Sequence, residues 1–213
     1  GIYEGDRFEE WFSELLAAKN VRTFGDLRAP AGSLYEHRLQ VLASDITRGR
    51  LVVLPAGLAH YGIDADSFSV AKAVRMSMSI PVYFEPVVEK GCHFVDGGLL
   101  SNFPVWLFDR QAPPGAAPTP PRWPTFGFKL VEPTDGHPAE IDTIVSFLKA
   151  LMTTMMDAHD RRYIEDLDFR RTVAIKTGDV KATDFHLSDE RKHWLYEQGK
   201  IGARAFLESW DPA

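Results

Sequence analysis

A chain of 213 residues can bury one sizeable core, and its net charge of −6 leaves no electrostatic footprint for nucleic acid. Cys92 is its single cysteine, which excludes an internal disulfide and a cysteine-based zinc site and fits a reducing compartment. No run is long and apolar enough to span a bilayer.

The chain opens Gly1-Ile2-Tyr3-Glu4-Gly5-Asp6, with no methionine and no signal-peptide pattern, so an upstream part of the protein is expected. Asp6 and Glu9 read as an N-cap and capping box. Phe8, Trp11, Phe12, Leu15 and Leu16 follow at helical spacing, predicting a helix over 7–19 with its aromatic stripe in the core. Residues 38–43 and 50–54 read as strands, and the six residues between them suit a hairpin. Asp45, where the first strand ends, is expected to bond the backbone amides of that turn. A short helix is predicted over 69–77, stopped by Pro81. Pro86 interrupts the apolar run Val82–Val88, which therefore reads as edge strand or loop.

His93 to Val95 then forms a strand that delivers Asp96 to Gly97 and Gly98. Glycine tolerates positive φ, so Asp-Gly-Gly reads first of all as a turn. The Pro-rich stretch 112–124 is a surface loop within a single domain spanning 1–213. Thr125 to Val131 is a strand, and residues 141–163 carry the longest amphipathic pattern, with Met152, Met155 and Met156 as core filler. A strand over 172–177 and a helix over 189–209, capped by Ser188, complete the chain. In that helix Trp194, Leu195, Gln198, Ile201, Ala205 and Phe206 fall in register. Strands alternating with helices, mixed with hairpins, indicate an α/β fold with a mixed sheet flanked by helices.

The seven histidines are scattered, and Asp157-Ala-His159-Asp160 reads as a half-buried histidine beside surface acids. No metal is therefore expected. There is no Gly-x-Gly-x-x-Gly and no Gly-x-x-x-x-Gly-Lys, so no nucleotide cofactor is expected either. No serine stands in Gly-x-Ser-x-Gly, the turn that exposes a nucleophile. Asp96 is a candidate general base without a visible nucleophile.

The run from Ala73 through Ser79-Ile80-Pro81 to Val87, followed by Val95-Asp96-Gly97-Gly98 and then Asn102 and Pro104, resembles the patatin-like phospholipase family. Val41 to Asp45 with Thr47 and Gly49, the opening Gly-x-Tyr-x-Gly-Asp, Thr23 to Leu27, and Trp123 to Phe128 are similar to further segments of that family. The resemblance covers at least residues 1–131. It implies a patatin-like sheet lacking its N-terminal strands, and a serine–aspartate dyad that hydrolyses lipid or other acyl esters through an acyl-enzyme. A glycine-rich loop would supply the oxyanion donors.

On that pattern Asp96 is the base, with Gly97, Gly98 and Asn102 as its motif neighbours, and the glycines keep the approach to it open. The glycine-rich loop and the nucleophile elbow lie upstream in the family. None of the eleven serines here fills that place, so this chain alone is expected to be inactive. An acyl-ester substrate, a cytoplasmic location and transient contact with a membrane surface follow from the same resemblance. The alternative is a non-catalytic module that uses the scaffold to bind lipid or a partner.

Overall fold

The computed structural model describes residues 2–33, 35–109, 124–131, 141–148, 150–152, 154–155, 171–180, 184 and 186–210. They fall into two compact units: residues 1–102 with 141–160, and residues 103–140 with 161–213.

The first unit is built on a four-stranded antiparallel sheet. Strands β1 (Val41–Asp45), β2 (Arg50–Leu54), β3 (Val87–Glu89) and β4 (Cys92–Asp96) stand in the order β2-β1-β4-β3. The expected β1–β2 hairpin is present and pairs Val41 with Leu54 and Asp45 with Arg50, but β1 starts at Val41 and runs on to Asp45 instead of spanning 38–43. In the next register Ala43 pairs with Asp96 and Asp45 with Phe94. Side chains alternate across a strand, so Val41, Ala43, Val52, Leu54 and Phe94 share a face. They form the core with Met76, Ala73 and Val70 of α2 (Val70–Ser77) and with Leu58 and Tyr61. Burying Phe94 to 1% exposure is worth about 2 kcal/mol from apolar area alone. Ser69 caps α2 by accepting the Lys72 N–H.

Helix α1 (Asp6–Ala17) departs from its expected start. Gly5, not Asp6, is the N-cap, in the left-handed region at φ 78°, and its carbonyl accepts from Phe8 and Glu9. The reason lies upstream. The N–H groups of Ile2 and Tyr3 both donate to the Tyr83 carbonyl, and Glu85 N–H donates to Tyr3. The chain must then turn sharply into the helix, and glycine makes that turn without a Cβ penalty. The aromatic stripe is also less buried than its spacing predicts. Phe8 stacks on Phe12 and Leu16 reaches the core, but Trp11 and Leu15 are exposed. Helix α1 lies against α2, which covers part of its apolar face.

Between α2 and β3 the chain passes through Ile80-Pro81-Val82, and Val82 has φ 74°. For a β-branched residue that is a strained conformation, costing about 1–3 kcal/mol. Phe84 N–H donates to the Ile80 carbonyl across this turn. The long amphipathic pattern after 141 is helical at 144–148, 150–152 and 154–155. Ile144, Val145, Phe147 and Leu151 are exposed there, and Met155 is exposed rather than core filler. Met156, His159 and Tyr163 lie outside the described residues, as does nearly all of the Pro-rich loop.

In the second unit, β5 (Gly127–Val131) and β6 (Thr172–Lys176) pair in parallel, and α3 (Asp189–Ser209) packs on β6. Ser188 caps α3 through the Arg191 N–H, as expected. The packed face differs from the expected one in part. A Cβ on Gly202 would come within 2.9 Å of the Ala174 carbonyl oxygen, so this glycine sets the close approach, while Ile201 and Trp194 are exposed. Phe206 meets Phe126 edge-on. The α/β class therefore holds, with antiparallel and parallel pairing found in separate sheets.

Candidate active site

Asp96 is the last residue of β4, and it is half-buried. Two bonds fix it. Its backbone N–H donates to the Ser79 carbonyl at 3.0 Å, and its carboxylate oxygen accepts the Gly98 N–H at 2.7 Å. Among the described residues the carboxylate accepts no other hydrogen bond. Burial pushes the carboxyl above the usual aspartate range, and the Gly98 amide offsets only part of that rise. The outcome is a carboxylate with spare acceptor capacity and increased basicity.

Gly97, Gly98 and Leu99 form a 3-10 turn, so the predicted turn is present. Its cause differs from the expected one. Neither Gly97 nor Gly98 has a positive φ. Gly97 is buried against β1, where an added Cβ would stand 2.5 Å from the Leu42 carbonyl oxygen and 2.7 Å from the Leu42 Cβ. The constraint at Gly97 is space. The Gly97 carbonyl then accepts from Leu100 and Ser101. Asn102, the remaining motif residue, is exposed.

Ser79, in the segment before this motif, and Ser44, on the neighbouring strand, show no nucleophile geometry. Ser79 is fully buried; its hydroxyl donates to the Arg75 carbonyl at 2.6 Å and accepts from the Arg75 guanidinium. Ser44 is fully buried opposite Val95, with no partner for its hydroxyl among the described residues. A cavity of about 280 Å³ lies at the β2 edge, lined by residues including Arg50, Val52, Gly57 and His60, and no carboxylate faces it. It is two strands away from β4 and plays no part in the Asp96 geometry. Among the described residues no cluster of histidine, cysteine and acids could hold a metal, and no helix is long and apolar enough to cross a membrane.

Asp45, the last residue of β1, accepts from Thr47 N–H at 2.9 Å, Arg48 N–H at 3.1 Å and Tyr61 Oη at 2.7 Å, with the Arg48 guanidinium at 3.4 Å. The turn bonds are those the sequence predicts. Tyr61 was not foreseen: it ends a 3-10 helix, Ala56–Tyr61, and no local pattern joins it to Asp45. The burial of Arg75 was likewise not legible in the sequence. A lone arginine on a short amphipathic helix reads as a surface charge, yet it is 2% exposed.

A family model described as patatin-like phospholipase matches residues 1–109, which include the whole four-stranded sheet and Asp96. The uncharacterized protein YqhO of Bacillus subtilis (strain 168) is 41% identical over 215 residues, covering 99% of this chain and 68% of YqhO. The uncharacterized protein R571 of Acanthamoeba polyphaga mimivirus is 22% identical over 206 residues, covering 93% of this chain and 62% of R571. The crystal structure of VipD from Legionella pneumophila aligns at TM-score 0.41 and 18% identity, over 80% of this chain and 31% of that one. The matched segment carries the Ser79-Ile80-Pro81 and Asp96-Gly97-Gly98 motifs in the predicted order, and the chain belongs to the patatin-like phospholipase family, a family of lipid acyl hydrolases.

Proposed function

We propose that Asp96 is the general base of a serine–aspartate dyad that hydrolyses carboxylic esters of lipids. The observation that carries this reading is the state of its carboxylate: placed at a strand end, half-buried, raised in pKa by burial, and bonded by a single amide. A base that takes a proton directly from a serine hydroxyl needs partial desolvation, because an ordinary aspartate is too weakly basic. It also needs a free lone pair directed at the hydroxyl, which a carboxylate with one bonded donor retains.

The serine and the oxyanion donors would come from the part of the protein that the longer relatives contain beyond the matched region. The serine would attack the ester carbonyl as Asp96 takes its proton. Asp96 would pass that proton to the departing alcohol as the acyl-enzyme forms; water would then open the acyl-enzyme, giving Asp96 a proton that returns to the serine as the free acid leaves. Residues 1–213 alone would bind or present substrate without turning it over.

The test is hydrolysis of a chromogenic acyl ester by the complete reading frame, with and without Asp96→Asn. Loss of about a thousandfold in turnover, with folding unchanged, is expected for a general base that also orients the nucleophile. Retained turnover would sink the assignment.

A further inference from the structure

The geometry points to Arg75 as a positioning residue for Asp96, acting through Ser79. This rests on the reading of Asp96 as the base. Arg75 lies in α2 and is almost fully buried, yet its contacts are neutral oxygens and a ring. One guanidinium nitrogen donates to the Ser79 hydroxyl, another to the Glu4 carbonyl and, at 3.2 Å, to the Glu85 carbonyl. The group lies over the Phe84 ring at 5.5 Å. A buried guanidinium is costly unless its donors are met; here both terminal nitrogens are bonded by three separate stretches of chain, and Nε alone has no partner among the described residues.

Those stretches frame the strained turn. Ser79 and Glu85 stand at its two ends, and Val82 at φ 74° lies between them. A strained backbone persists only where its surroundings over-determine it. Arg75 holds both ends from one planar group, a geometry that lysine cannot reproduce. Ser79 is fixed a second time, because its hydroxyl donates to the Arg75 carbonyl and closes the end of α2. The Ser79 carbonyl is thus held in one direction, and it is the acceptor for the Asp96 N–H.

The space for Arg75 is equally specified. A Cβ on Gly5 would overlap the Arg75 guanidinium, so a side chain there would have to displace it, and φ 78° favours glycine as well. The result is one continuous path, from the Glu4–Gly5 segment through Arg75 and Ser79 to the backbone of Asp96. A small shift of a reacting group can cost a large factor in rate, so loosening this path should lower turnover without altering substrate affinity.

The experiment compares Arg75→Met, Arg75→Lys and the milder Ser79→Ala by amide hydrogen exchange and by ester hydrolysis in the complete protein. We expect the Asp96 amide to exchange about tenfold faster in Ser79→Ala and faster still in Arg75→Met, as a lost hydrogen bond predicts. The Ile46 amide, bonded to the His93 carbonyl at the other end of the same strand pair, should stay protected. In hydrolysis, kcat should fall about tenfold with KM within about twofold, and Arg75→Lys should restore little of it.

Unchanged exchange at Asp96, or an equal rise at Ile46, would overturn the positioning role, the second by showing general loosening. A KM effect without a kcat effect would overturn it too. Intact hydrolysis in Asp96→Asn would instead overturn the base reading, and the exchange data would show separately whether the path from Arg75 stands.

Discussion

Asp45 and Asp96 end neighbouring antiparallel strands of one sheet, and the register sets them two positions apart, Asp45 opposite Phe94 and Asp96 opposite Ala43. Asp45 is fully buried and surrounded by donors: two turn amides, the Tyr61 hydroxyl and the Arg48 guanidinium. Burial alone would push its carboxyl up, but those bonds together hold it below the ordinary range. Asp96 has one amide, too little to offset its burial, and its carboxyl is pushed up. The same residue type at the same kind of position thus serves two ends. A saturated carboxylate is committed to structure. An under-coordinated one keeps capacity for a proton.

The comparison breaks most visibly at turnover. Asp96→Asn should remove ester hydrolysis by about a thousandfold with no loss of stability; a variant that loses both would make Asp96 another structural carboxylate. Next in size is Asp45→Ala, which should cost about 3 kcal/mol in denaturant unfolding, because Tyr61 Oη is left buried without its acceptor and two turn amides lose theirs. A loss well below 1 kcal/mol would show that water replaces the carboxylate.

Gly97→Ala should cost about 2 kcal/mol in the same measurement, since its Cβ must displace the Leu42 backbone. An unchanged midpoint would show that β1 yields at that contact. The smallest effect concerns Asp96 and pH. A carboxyl whose folded pKa is raised binds its proton more tightly in the native state, so stability is lost as pH rises from the ordinary aspartate range through the raised value. Asp96→Asn removes that loss. Its melting temperature should exceed the parent's by a few degrees near neutrality, and the gap should close at about pH 4. Asp45, with its pKa lowered, contributes in the opposite sense: its stabilisation is present above the unfolded value and fades as pH falls through the folded one.

Much of this contrast was legible before any coordinates. The strand-turn-strand around Asp45 and the delivery of Asp96 to the end of β4 follow from apolar runs, turn residues and strand length, all of them local signals. The reach of Tyr61 to Asp45 and the clash of any Gly97 side chain with Leu42 were not legible, because both join segments whose separation in sequence carries no periodic mark. The Gly5 cap was misread as Asp6 for a similar reason. Its conformation is set by the pairing of residues 2–3 with 83–85, which local capping rules do not contain. Trp11, Ile201 and Met155 show the limit of helical spacing: it identifies an apolar face but not how much of that face a neighbour covers.

The pairing of the opening residues with Tyr83 and Glu85 also bears on how the protein is handled at the bench. Ile2 to Gly5 look dispensable on paper, lying ahead of the first helix. They supply a carbonyl to a buried guanidinium and the backbone that pins the strained turn. An expression boundary drawn at Asp6, or a protease site engineered into these residues, would therefore disturb the neighbourhood of Asp96. Cloning limits for this protein should keep residues 2–5 intact.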